Sequence, residues 1–307
     1  MPRTLRSRSL GSVIPAIIVI IGLIVLGVII AFLTKGTDVA LLNPKGYVAH
    51  EQYKLLVHST LVMLVFAVPV ALAIYFFAWR YREDNQKSIY NPNTKEHKAY
   101  LLFAWGGPLA VVIVLAALML PATQQLAHQQ PIESSNDPIT VQVVALNWKW
   151  LFIYPDHDVA SLNYVQIPVD TPVRFELTAD GAPMSSFWIP HLGGMLYVMT
   201  GHVNPVNLIS DTIGDYPGSS AEINGHGYAH MKFTTRVSSQ SDFDNWIADK
   251  QQSGVALSDS EYEKLKVPSE GDKPAYFKGP DADFFSDIVS KYAGSHGHGG
   301  DHEHGGY

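Results

Sequence analysis

Three stretches of this chain are apolar almost without interruption, and the periodicity changes after them. They run from Val13 to Leu33, from Leu55 to Trp79 and from Tyr100 to Leu120, and none contains a charged residue. Each reaches the roughly 20 residues that a helix needs to cross the hydrocarbon core of a bilayer. Uncharged runs of this length are rare in buried helices of soluble proteins, so the second and third predict a membrane-spanning helical hairpin. Arg3, Arg6 and Arg8 precede the first run. That arrangement fits either a signal peptide or an uncleaved signal anchor. The length of the run and the lack of a clear small-x-small cleavage site favour retention.

Beyond the polar linker Pro131–Pro138 the pattern shortens to that of strands. Residues 139–146 are rich in β-branched residues, and 165–169 and 173–177 alternate around the turn-like Asp170-Thr171-Pro172. Further short strands are expected at 186–190, 195–200, 206–209 and 230–237. Short strands separated by Gly/Pro turns read as an antiparallel sandwich or barrel. From Gln240 the spacing becomes helical, over 242–250, over 258–266 with Ser258 as cap and Glu261 three residues on, and over 283–292. The expected organisation is a signal anchor or signal peptide (1–36), a transmembrane helical hairpin (37–122), an exported all-β sandwich (131–238), a small aromatic-rich helical extension (239–293) and a disordered His/Gly tail (294–307).

Charge sets the orientation. The amino end carries three arginines, and the loop between the second and third runs carries Arg80, Arg82, Lys87, Lys95 and Lys98. The other loop has only Lys35, Lys45 and Lys54. The positive-inside rule therefore places the amino terminus and the 80–99 loop in the cytoplasm, and everything after Leu120 outside the inner membrane. Residues 1–120 have net charge +6 and residues 121–307 have −13. An acidic exterior would attract a basic electron carrier such as cytochrome c, but it also serves simply as a solvated surface. The 307 residues include no cysteine. A thiolate-bridged copper pair, a blue-copper site, an Fe–S cluster and a disulfide cannot be built from this chain alone.

Residues 218–231, Gly-Ser-Ser-Ala-Glu-Ile-Asn-Gly-His-Gly-Tyr-Ala-His-Met, resemble the dicopper loop of haem-copper oxidase subunit II, Cys-x-Glu-x-Cys-x3-His-x2-Met. Glu222, Gly225 and Met231 match. Ser220 and Asn224 stand at the cysteine positions, Tyr228 at the histidine, and Ser185, before Ser186-Phe187-Trp188, at the other ligand histidine. Asn147-Trp148-Lys149-Trp150 with Tyr154 resembles the family's Trp-x-Trp-x3-Tyr segment. Leu42-Asn43-Pro44-Lys45-Gly46, Phe77–Arg82 and Trp105-Gly106-Gly107-Pro108 are also similar to family motifs. In all, the resemblance covers about residues 40–290. The lost ligands point to the quinol-oxidising branch, subunit II of cytochrome bo-type ubiquinol oxidases.

The resemblance implies a cupredoxin-like sandwich and a non-catalytic subunit of a proton-pumping complex that oxidises ubiquinol and reduces dioxygen to water. It implies no cofactor in this chain, haem and copper in subunit I, and a hairpin packed against that partner in the bacterial inner membrane, with the carboxyl-terminal domain periplasmic. In copper-bearing members an exposed tryptophan of the Trp-x-Trp segment helps receive electrons from cytochrome c. Without copper, Trp148 and Trp150 are expected to pack against the sandwich or subunit I. Where the family has a proton-channel glutamate before Trp105, this chain has Leu101 and Leu102, and Glu96 is the nearest carboxylate. The rival readings are a copper-dependent cytochrome c oxidase subunit II and a membrane-anchored metal-delivery protein using the tail histidines. His226 and His230 have ligand-like spacing only on a helix, which Gly225 and Gly227 oppose.

Overall fold

The computed structural model describes residues 39–82, 85, 98–126, 131, 132 and 134–293. The first apolar run, Glu96 and the His/Gly tail lie outside the described residues.

These residues form two bodies. In the first, the apolar runs become two long helices, α1 (Tyr47–Arg80) and α2 (Lys98–Gln125). Both are long and apolar enough to cross a membrane, and none of their most apolar stretch is buried within the chain. Pro69 lies inside α1, a position that membrane helices tolerate far better than soluble ones. A side chain on Gly107 of α2 would come within 2.9 Å of the Phe66 ring of α1. This is the small-residue contact by which helices associate in lipid. With 34 residues α1 is about 51 Å long, well beyond the hydrocarbon core.

Its first two turns belong to the second body, with the chain after residue 120. There the backbone of Gly46 bridges to Ser210, Lys45 N–H donates to His191 O (2.8 Å) and Ala49 N–H to Leu192 O (3.2 Å). The rest is a two-sheet sandwich. One sheet has the order β11-β12-β3-β2-β1-β5-β8 and the other β4-β10-β9-β6-β7. The strands are β1 Ile139–Leu146, β2 Lys149–Tyr154, β3 Val159–Leu162, β4 Tyr164–Pro168, β5 Val173–Ala179, β6 Ser185–Ile189, β7 Gly193–Val198, β8 Asn204–Leu208, β9 Gly214–Ser220, β10 Lys232–Ser238, β11 Val255–Ala256 and β12 Ala275–Lys278. This is the cupredoxin-like sandwich that the loop motif implied. Its pairing differs from an all-antiparallel expectation, because β1–β5, β4–β10 and β11–β12 are parallel. Alternation within a strand reports which face is buried, not the direction of its neighbour.

Between the sheets lies an aromatic core in which Trp150, Phe152, Phe175, Phe187 and Phe233 meet edge-on, tilted or stacked. A second core lies on the far side of the larger sheet. Val144, Leu146, Leu151, Ile153, Ala160 and Leu162 are covered there by Leu257, Tyr262, Phe277, Phe285 and Ile288 of the extension. Each of those covering side chains stabilises by roughly 1.5–3 kcal/mol. The extension forms α3 (Gln240–Ser253), α4 (Asp259–Lys266) and α5 (Phe284–Ala293), and it also adds β11 and β12 to the sheet. Ser239 and Ser258 cap α3 and α4 by accepting from Asp242 N–H and Glu261 N–H.

Candidate functional site

The six positions of the copper pattern fall at one end of the sandwich. β6 opens with Ser185, β9 closes with Ser220, and the connection from 221 to 231 leads into β10. Ser185, Ser220, Asn224 and Met231 are buried there. The Asn224 amide donates to Ser185 Oγ at 2.7 Å and to Met231 Sδ at 3.1 Å. Ser185 Oγ in turn donates to Pro183 O at 3.0 Å and lies 4.0 Å from the thioether. Ser220 is tied to the same floor through backbone: its Oγ accepts from Ser186 N–H and donates to Glu222 O, and its N–H donates to Met231 O. The side chains of Glu222 and Tyr228 are half-buried and make no hydrogen bond among the described residues. Ser185, Asn224 and Met231 are therefore brought together, with Ser220 beside them.

Chemically this cluster is a hydrogen-bonded plug. A copper pair needs two bridging thiolates flanked by imidazoles, and here the donors are an amide, two hydroxyls and one thioether. The residues do not fit that metal centre. No group of three or more His, Asp or Glu able to hold a metal occurs among the described residues. One polar atom is left over: Asn224 Oδ1 is buried without a hydrogen-bond partner. Such an acceptor costs about 1–3 kcal/mol.

The loop above the plug is held by the aromatic segment. Trp148 sits in the β1–β2 hairpin with φ of +63°, a strained conformation for a bulky residue. From there its indole N–H donates to Asn224 O at 3.4 Å. A side chain on Gly227 would come within 2.4 Å of the indole, so only glycine permits this approach. Gly225, at φ +120°, turns the chain beside the same ring. These glycines keep the loop from being an α-helix; Tyr228–His230 makes a single 3-10 turn instead. Trp150 is thus fully buried within the sandwich, and half-buried Trp148 packs against its core beneath the loop.

The extension reaches the same region through polar contacts that sequence reading missed. Lys149, only 3% exposed, donates to Val267 O (3.0 Å) and Ser269 Oγ and pairs with Asp272 (3.3 Å). Glu270 accepts from His226 Nδ1 at 2.7 Å and lies 3.9 Å from His230 Nε2. Both histidines point outward, the first 88% exposed, and serve as a surface link between loop and extension. At the end of β5, Asp180 is 3% exposed. It accepts from Tyr292 (2.6 Å), Tyr262 (2.8 Å) and Lys291 (3.0 Å), with Lys266 at 3.7 Å. Burial alone would raise its pKa, but these hydrogen bonds and the Lys266 charge prevail and hold it below the usual carboxylate value. Tyr262 is pushed up, first by its own burial and then by the Asp180 charge. The sequence offered only an Asp-Gly turn at 180–181 as a signal.

Comparison with known proteins gives concordant matches. The family described as the COX aromatic rich motif matches residues 251–296, the extension itself. The cytochrome bo(3) ubiquinol oxidase subunit 2 of Pseudomonas putida is 39% identical over 262 residues, covering 85% of this chain and 83% of that protein. The ubiquinol oxidase subunit 2 of Acetobacter aceti is 37% identical over 264 residues, covering 85% of each. Among solved structures, the periplasmic domain of subunit II of cytochrome oxidase of Bradyrhizobium japonicum matches 39% of this chain and 96% of its own, with 20% identity and a TM-score of 0.36.

Proposed function

Because this chain belongs to the subunit 2 family of ubiquinol oxidases, an oxidoreductase complex of the membrane, we propose that it is the copper-free structural subunit of a proton-pumping quinol oxidase. The observation that carries this reading is the buried plug, in which Asn224 donates to Ser185 and Met231 where copper-bearing relatives place metal ligands. Electrons therefore bypass this chain. Ubiquinol delivers them from within the bilayer to the haem- and copper-bearing subunit I, which reduces dioxygen to water. The hairpin packs against subunit I in the bacterial inner membrane, and the β domain stands in the periplasm, as the distribution of Lys and Arg supports. Leu101 and Leu102 carry no proton, so Glu96 is assigned to proton uptake from the cytoplasmic side.

Two measurements, one on each of two preparations, test this. The chain ending at Ala293, which lacks the tail histidines, is purified in detergent through its own tag. A haem-bearing partner is expected to accompany it. The same truncated chain produced without that partner is expected to hold far less than one copper by elemental analysis. Stoichiometric copper in the isolated chain would overturn the structural reading. A chain that purifies without any haem protein would favour metal delivery instead.

A further inference from the structure

At the head of α1 the structure contains a cavity of about 340 Å³ that the oxidase reading does not use. Tyr47, His50, Glu51 and Lys54 line one side, at the i, i+3, i+4 and i+7 spacing of a single helix face. Asp170, Ile209 and Asp211 of the β domain line the other. We propose that this cavity holds the headgroup of a phospholipid bearing a primary ammonium.

Position is the first reason. Lys54 directly precedes the apolar run that begins at Leu55. At 1.5 Å per residue the cavity extends about 10 Å from Lys54 to Tyr47, which starts in the 5–8 Å layer of headgroups that borders the hydrocarbon core. The volume lies in the range of built small-molecule sites.

Charge is the second. Three carboxylates face one lysine, which already pairs with Glu51 at 2.7 Å. Asp211 accepts from Thr212 Oγ1 at 2.6 Å and lies 3.5 Å from His50 Nδ1, which is also anchored on Gly46 O at 3.0 Å. Asp170 is held in place by its backbone: its N–H donates to Ser210 O, and its carbonyl accepts from Ser134 and Asn136. Its carboxylate makes no hydrogen bond among the described residues. The carboxylates do not converge tightly enough for a metal ion. An ammonium, with three diverging donors, can reach separated acceptors and also lie over the Tyr47 ring.

The order of groups along the helix is the third. Lys54, nearest the apolar run, lies where a lipid phosphate sits. The acidic groups and Tyr47 lie farther out, where a zwitterionic headgroup carries its ammonium. An anionic headgroup without an ammonium could offer Asp170 and Asp211 at most neutral hydroxyl donors, and its own charge would repel them.

The test uses the complex containing this chain, delipidated in detergent. Native mass spectrometry then follows its retention of added phosphatidylethanolamine, phosphatidylglycerol or phosphatidylcholine. Retention of phosphatidylethanolamine is expected to exceed that of phosphatidylglycerol about tenfold, and Asp170→Asn with Asp211→Asn is expected to abolish the preference. Lys54→Gln should weaken retention of phosphatidylethanolamine. If the double variant assembles poorly, Asp170→Asn alone, at an exposed and unpaired carboxylate, should lower the preference severalfold. Equal retention of phosphatidylglycerol or phosphatidylcholine, or variants that behave as the parent, would overturn the proposal. Displacement of the lipid by millimolar glycerophosphoethanolamine would also overturn it, by showing a site for soluble ligands.

Discussion

Ser185→His, Ser220→Cys, Asn224→Cys and Tyr228→His introduced together are expected to turn this chain into a copper protein, with a bound copper pair and a purple colour. The expectation rests on proximity. Asn224 already reaches Ser185 Oγ at 2.7 Å and Met231 Sδ at 3.1 Å, and Ser220 is bonded through its backbone to Met231. The four changes place two thiolates and two imidazoles around a thioether that is already buried. Replacing Asn224 also removes the unpartnered Oδ1, so the metal-free variant should tolerate the exchange. With free copper a thousandfold above its dissociation constant, binding adds about 4 kcal/mol to stability. Leaving Asn224 in place removes one bridging thiolate and should abolish the pair. Visible and near-infrared absorption with elemental copper analysis are the readouts. A folded quadruple variant that takes up no copper would mean that the loop no longer holds its positions in ligand geometry.

Asp180→Ala is expected to loosen the extension, at a cost of about 3 kcal/mol, because it strips the shared partner from two tyrosines and two lysines. Hydrogen exchange should show lost protection over α4 and α5 while β4 and β10 stay protected. Asp180 also gives this docking an acid limit. Its folded pKa is lowered, so its contribution is fully present above the unfolded value of about 3.9 and is lost as pH falls through the folded value. The stability gap between the parent and Asp180→Asn should then be constant from pH 8 to 5 and shrink in stronger acid. A gap that widens in acid would contradict the assignment, as would an Ala variant with an undisturbed extension.

The parts of the fold that could be read in the sequence are those whose environment is simple. α1 and α2 were visible because lipid demands apolar side chains on every face, and the first half of β5 because alternate residues face the core there. β2 showed no alternation, since every residue from Lys149 to Tyr154 is buried, its outer face being covered by the extension. β9 reads as a turn, Gly-Asp-Tyr-Pro-Gly-Ser-Ser. It is a strand because Gly218 lets the Phe233 ring lie against the backbone, where a Cβ would come within 2.1 Å, and because β10 and β6 flank it. β11 and β12 exist only through pairing with each other and with β3.

The site was legible in its positions and illegible in its contents. The spacing of Ser220, Glu222, Asn224, Tyr228 and Met231 marked the loop through its likeness to a ligand pattern. Nothing local indicated that Asn224 would donate to Ser185, 39 residues earlier. The Asp180 cluster joins residues 82 and 112 apart, and buried Lys149 finds its partners about 120 residues on. Such contacts are set by the packing of the sandwich and its extension, which no short window of sequence contains.

The central claim is that electrons reach oxygen without passing through this chain. The most direct measurement is oxygen uptake by the purified complex that contains it, supplied in turn with ubiquinol and with reduced cytochrome c at equal electron supply. Uptake with ubiquinol and none above background with cytochrome c is the predicted result. Oxidation of cytochrome c at a comparable rate would contradict it, because a chain plugged by Asn224, Ser185 and Met231 offers that donor no metal to reduce.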